Sequence, residues 1–125
     1  MPRTNLHIGR HGEYYVCALL EAVGVEATRS DGDFDVIGLL PSGKLVKIEV
    51  KTCSAPRRRD RSYGFGINKG SPDVYALYAF DLGVVVFEPA ENMRALTYVS
   101  RSRSHFTQEA QEASLKALLD FGQLG

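Results

Sequence analysis

Two runs rich in Val, Ile, Leu and Phe, Phe34–Leu40 and Leu45–Thr52, are divided by Pro41-Ser42-Gly43. This arrangement constrains the fold more than any other stretch, because apolar runs separated by turn residues read as a β-hairpin. Pro41 suits the first corner of a type I turn and Gly43 the left-handed position after it, which describes a three-residue hairpin loop with its bulge. Leu40 then pairs with Lys44. Counted outward in that register, Leu39 stands opposite Leu45, Ile37 opposite Lys47, Asp35 opposite Glu49 and Asp33 opposite Lys51. A loop one residue shorter or longer would put Asp35 and Glu49 on opposite faces.

That register creates an electrostatic problem. Directly opposed residues have Cβ atoms about 4.5–5.5 Å apart, so the two carboxylates repel unless something positive lies between them. A hard divalent cation would serve, with Lys51 flanking it. The ordinary alternative is that Lys47, Glu49 and Lys51 are the solvated face of a half-buried strand. The segment before the hairpin favours the first view. Glu13 to Val23 reads as an amphipathic helix with Val16, Cys17, Leu19, Leu20 and Val23 as its apolar stripe. Glu13 shares a line with Cys17 and Leu20, so it points toward the sheet near the helix N-terminus. Two carboxylates and an ammonium on neighbouring strands, joined by a third acid, form a set suited to metal-dependent phosphodiester cleavage.

Gly12-Glu13, the helix from Tyr14 to Val23, Gly24, Asp33-Phe34-Asp35-Val36-Ile37 and Ile48-Glu49-Val50-Lys51-Thr52 occur in that order. In order, spacing and strand context they resemble the PD-(D/E)XK nuclease superfamily, the restriction-endonuclease-like enzymes. Phe34 stands where the family's name has proline. Within the superfamily the chain is similar to the small archaeal-type Holliday junction resolvases and to compact endonucleases of mobile elements. Pro72–Tyr78 and Val84–Pro89 resemble the strand pair that follows the catalytic lysine in those enzymes.

The resemblance implies an α/β fold, a restriction-endonuclease-like mixed β-sheet flanked by α-helices with the active site at one edge. It implies a divalent-metal-dependent endonuclease hydrolysing DNA, structure-specific for junctions or mismatches. In these roles Asp35 and Glu49 bind Mg2+, or Mn2+ in its place, helped by the backbone carbonyl of Val50. Lys51 positions the attacking water or stabilises developing negative charge, and Glu13 holds a second ion. Asp33 is the weaker acidic candidate, because facing Lys51 it serves equally as an orienting partner. RNA stays open as a substrate. One such domain carries one active site, so cutting two strands implies a homodimer.

At 125 residues the chain is long enough for one core and too short for two, so residues 1–125 read as a single domain. Formal net charge is zero, which argues against a general polyanion binder, but its distribution is uneven. Residues 13–35 carry six acids against Arg29, a net of −5. Residues 57–69 hold Arg57, Arg58, Arg59, Arg61 and Lys69 against Asp60, a net of +4. An acidic centre beside a basic rim suits an enzyme that collects a metal and then holds a phosphate backbone. By composition alone, a solvated loop explains the arginine run as well.

Cys17 and Cys53 are the only cysteines and lack zinc-site spacing. With no signal peptide or membrane-length apolar run, a reduced cytoplasmic compartment and no membrane partner are expected. Gly9 and Gly12 oppose a helix around His7 and His11, which therefore read as surface residues. Two other classes compete with a nuclease: a catalytically silent nucleic-acid-binding module on the same fold, and a protein that does not bind nucleic acid.

The remaining elements are coarser. Ser54–Pro72 is a long connection with a short strand near Tyr63–Ile67. Val74–Phe80 reads as a central strand and Val84–Phe87 as its return. Pro89 opens a helical turn, and Leu96–Ser100 forms an edge strand. Thr107 caps a helix to about Asp120, with Ala110, Ser114, Leu118 and Phe121 as its inner line.

Overall fold

The chain runs α1 (Asn5–Ala22), β1 (Glu26–Arg29), β2 (Val36–Leu39), β3 (Leu45–Cys53), β4 (Tyr63–Gly66), β5 (Val74–Ala79) and β6 (Val84–Pro89). A 3-10 turn (Ala90–Met93), β7 (Tyr98–Arg101), a second 3-10 turn (Arg103–His105) and α2 (Gln108–Leu119) complete it. This is a computed structural model, and it describes residues 5–30, 35–67, 72–93 and 96–121. Asp33, Phe34 and Lys69 lie outside the described residues.

The hairpin forms in the register set by its turn. Leu39 pairs with Leu45 and Ile37 with Lys47. The Leu40 amide donates to the Lys44 carbonyl at 2.9 Å, and Gly43 adopts φ +90°. Around this hairpin a five-stranded sheet assembles in the order β1-β2-β3-β5-β6. It is mixed: β3 and β5 are parallel, and the other neighbours are antiparallel. The expected Val74 strand is therefore one place from the edge, and β3 takes the centre.

Both faces of β5 are buried, as its unbroken apolar composition requires. On one face Val16 and Leu20 of α1 and Leu115 and Leu118 of α2 pack against Val36, Val46, Ile48, Ala76 and Val85. On the other, β4 and β7 pair as a separate two-stranded sheet. Their Tyr63, Phe65 and Val99 pack with Phe106 against Tyr75, Leu77 and Val86. The expected edge strand near residue 98 thus belongs to this ribbon. Arg101 ties it down by donating to both oxygens of Glu88 on β6, at 2.9 and 2.7 Å.

Thr107 caps α2 as expected, its hydroxyl accepting the Ala110 amide. Of the expected inner line Leu118 is buried and Ala110, Ser114 and Phe121 are half-buried, and Gln111 and Leu115 complete the inward face. Its polar members have a use: Gln111 Oε1 accepts the Val85 amide at 2.9 Å and Ser114 Oγ the Phe87 amide at 3.0 Å. α2 thereby covers the outer edge of β6, whose amides would otherwise invite another strand.

α1 begins eight residues earlier than its apolar stripe suggests and runs straight through Gly9 and Gly12. Gly12 lets the helix backbone come close to the sheet. A Cβ there would lie 2.7 Å from Thr52 Oγ1 and 2.9 Å from a Tyr78 ring carbon. Tertiary contact has overridden the propensity cost of about 1 kcal/mol per glycine. His11, although exposed, is held beside it, its Nδ1 2.9 Å from the Tyr78 hydroxyl. Gly12→Val is expected to destabilise the fold by about 1–3 kcal/mol through overpacking. Gly9→Ala, with nothing within 4 Å of its new Cβ, should be neutral or mildly stabilising. Thermal unfolding of the two variants distinguishes them, and equal Tm values would mean that α1 is not seated on Thr52 and Tyr78.

Candidate active site

The pairing of β2 ends at Val36–Ile48, while β3 continues to Cys53. A cleft of about 550 Å3 opens beside this outlying half of β3. Its walls include Glu13, Asp35, Glu49, Val50 and Lys51, with Gly64 of β4 across from them. The residues singled out in the sequence for catalysis and metal binding therefore line one space. They come from α1, from the residue just before β2 and from β3.

Glu49 is the unusual member. It is 7% exposed, and its Oε2 is buried without a hydrogen-bond partner. Burial is the main force pushing its carboxyl above the usual range; the negative charge of Asp35 adds to this, and Lys51 opposes it. Tyr75, its neighbour in register on β5, is also raised, chiefly by burial and secondarily by Glu49. Asp35, by contrast, is fixed by the backbone. Its Oδ2 accepts the Val50 amide at 2.8 Å, and its own amide donates to the Ile48 carbonyl at 3.2 Å. One side chain thus satisfies the first amide of β3 beyond the paired segment and is aimed by it.

Glu13 lines the same cleft, but its carboxylate is engaged: Arg29 Nε donates to Oε1 at 3.0 Å. Arg29 also donates to the Tyr14 hydroxyl at 3.0 Å and lies over that ring. Sequence reading counted Arg29 only in a charge sum. Its signal was being the sole cation among the acids of residues 13–35. Among the described residues, no three His, Cys, Asp or Glu side chains form a ready metal cage. The available donors are the Asp35 and Glu49 carboxylates and the Val50 carbonyl. A buried carboxylate with an orphaned oxygen, beside a second carboxylate, fits a hard oxygen-seeking cation.

The basic segment is more ordered than its composition suggests. The Arg61 amide donates to the Arg57 carbonyl and the Arg57 amide to the Ser62 carbonyl, closing a tight turn. Arg61 sits at φ 57°. The Arg57 guanidinium donates to Ser62 Oγ at 2.7 Å and Ser100 Oγ at 2.8 Å, so it is fastened to the β4–β7 ribbon. Arg58, Arg59 and Arg61 are exposed.

No protein-family model matches the chain, and no curated protein matches it. Among solved structures, a bacterial homing endonuclease, I-Ssp6803I, superposes with a TM-score of 0.79. The match covers 98% of this chain and 96% of that one at 15% sequence identity. The two share a fold. The mixed sheet with α1 and α2 on one face is thus common to both, and the similarity spans nearly the whole length of the two chains. Among the described residues no helix is long and apolar enough to cross a membrane.

Proposed function

We propose that this protein is a divalent-metal-dependent endodeoxyribonuclease of the PD-(D/E)XK type. Glu49 carries the reading: a buried carboxylate with an orphaned oxygen, set against Asp35 and Lys51 in an open cleft. Such a group is costly unless something compensates it. Mg2+ or Mn2+, held by Asp35, Glu49 and the Val50 carbonyl, is the compensation these donors suit. When bound, the ion would polarise a phosphoryl oxygen and acidify a water. The chain's residues do the rest. The Val50 amide holds the Asp35 carboxylate in place. Lys51 offers positive charge where negative charge develops during cleavage. Arg58, Arg59 and Arg61, with Lys69, attract the phosphate backbone. Recognition of a junction or mismatch, two-strand cutting by a homodimer and a cytoplasmic location belong to the same reading.

A binding module without cleavage is the second reading. The Glu13–Arg29 ion pair favours it, since it occupies the third carboxylate. One assay decides between them. The protein is incubated with linear duplex, single-stranded, nicked and four-way-junction DNA, and with RNA, in Mg2+, Mn2+ or EDTA. Cleavage of DNA that EDTA abolishes is the expected result. DNA binding with no cleavage under any of these conditions would establish the second reading.

Glu49 also yields a stability prediction. Its folded pKa lies above the unfolded value, so the native state holds this proton more tightly. The resulting destabilisation is absent below the unfolded pKa, grows as pH rises toward the folded pKa, and is complete above it. Glu49→Gln should therefore raise Tm in EDTA at neutral pH and leave acid pH nearly unaffected. The same substitution should abolish the Tm rise that Mg2+ gives the wild type. A variant that unfolds earlier in EDTA and still responds to Mg2+ would overturn the assignment.

A further inference from the structure

The outer face of the β4–β7 ribbon takes no part in this cleavage chemistry. Its inner residues, Tyr63, Phe65 and Val99, are buried, and its outward positions are Gly64, Gly66, Tyr98 and Ser100. Tyr98, 49% exposed, pairs with Gly66 across the ribbon, yet its ring lies over Gly64, where any Cβ would collide with it. The Arg57 guanidinium sits 5.7 Å from that ring's centroid and is tethered through Nε and Nη2 to Ser62 and Ser100. Nη1 takes no part in these bonds. The face is low in relief and carries a cation at a fixed place.

Among the described residues, nothing accounts for Gly66. No described atom lies within 4 Å of where its Cβ would be, and its backbone is ordinary strand outside the left-handed region. Gly66 is the last residue of β4 and exposed, so the outer face there has no side chain to keep another molecule from the backbone.

We propose that the outer face of the β4–β7 ribbon lies in the major groove of duplex DNA, with Gly66 at the point of closest approach and Arg57 and Tyr98 beside it. A major groove about 12 Å wide admits a two-stranded ribbon. Charge favours a nucleic acid, because the arginine turn of residues 57–61 leads directly into β4. The ribbon is also continuous with the cleft, since Gly64 forms one of its walls. A duplex seated on the ribbon would present an adjoining phosphate to Asp35, Glu49 and Lys51. The inference rests on the nuclease reading and adds a groove and a surface to it.

The test titrates wild type and Gly66→Val with a mixed-sequence linear duplex in Ca2+. Wild type is also titrated with the same duplex carrying glucosylated hydroxymethylcytosine, whose sugars fill the major groove. Valine is the better strand residue, so Gly66→Val should keep or raise Tm and retain the Mg2+ response. It should bind the duplex about tenfold or more weakly, and wild type should lose a similar factor on the glucosylated duplex. If valine lowers Tm, Tyr98→Ala replaces it, with the same loss of affinity expected. Wild-type affinity in the folded variant, or wild type binding both duplexes equally, overturns the ribbon proposal; continued Mg2+-dependent cleavage would leave the nuclease reading standing. A wild type that neither binds nor cuts DNA removes both.

Discussion

Lys51→Ala is expected to slow DNA cleavage about 100- to 1,000-fold, with DNA affinity and the fold preserved. The expectation follows from where the ammonium sits. Lys51 is on β3, two residues past Glu49 and on the same face, half-buried in the wall of the cleft. A cation there gains interaction energy as negative charge accumulates on the reacting phosphate. Its loss therefore falls on the transition state more than on ground-state binding. The stability cost should be small, because the side chain borders open space and its removal leaves no enclosed cavity. One electrostatic side effect is expected: Lys51 opposes the rise of the Glu49 carboxyl, so without it that carboxyl should move further up. Lys51→Arg should recover little, since a planar guanidinium does not reproduce a compact point charge. Single-turnover cleavage beside equilibrium DNA binding reads both quantities. Wild-type cleavage by the alanine variant would end the catalytic assignment, whatever happened to affinity.

How much of this was legible beforehand depended on the range over which each element is decided. The β2–β3 hairpin was readable because Pro41, Ser42 and Gly43 fix the loop and the loop fixes the register. The start of α2 was readable because Thr107 carries its own cap. β1 was not anticipated: Glu26–Arg29 is a short, polar edge strand without an apolar run, and it exists through pairing with β2. The first turns of α1 were misread for the same physical reason. Gly9 and Gly12 are poor helix residues locally, and the benefit of Gly12 appears only against Thr52 and Tyr78, some forty and sixty-six residues away. β7 reads as a strand, but its partner is β4 and not the main sheet, a choice made by burial of Tyr63, Phe65 and Val99.

The candidate site divides in the same way. The register that directs Asp35 toward β3 was legible as far as Val36–Ile48, where pairing ends, whereas the Arg29–Glu13 ion pair was not read, because β1 was not read as a strand. Arg57 was grouped with its neighbours as a phosphate contact, and the two serines that fasten it lie five and forty-three residues further on.

Asp35→Asn and Asp35→Ala should separate charge from architecture at this site. Both are expected to lower cleavage about 100-fold or more and to abolish stabilisation by Mg2+, because each removes one of the two carboxylates available to a cation. They should differ in the absence of metal. Asparagine retains an oxygen able to accept the Val50 amide, now donated to Asp35 Oδ2 at 2.8 Å. It also removes a negative charge that pushes the Glu49 carboxyl upward. The asparagine variant should therefore match or exceed wild-type Tm in EDTA, with the Glu49 carboxyl still raised by its burial but less so. Alanine relieves the same repulsion and leaves the Val50 amide without its partner, at a cost of about 1–3 kcal/mol. It should unfold earlier than the asparagine variant. The difference in Tm between the two variants measures the hydrogen bond, and their shared loss of cleavage measures the charge. If Asp35→Asn cleaved DNA as fast as wild type, Asp35 would be an architectural residue of β3, and the cation site would have to be sought around Glu49 and Glu13 instead.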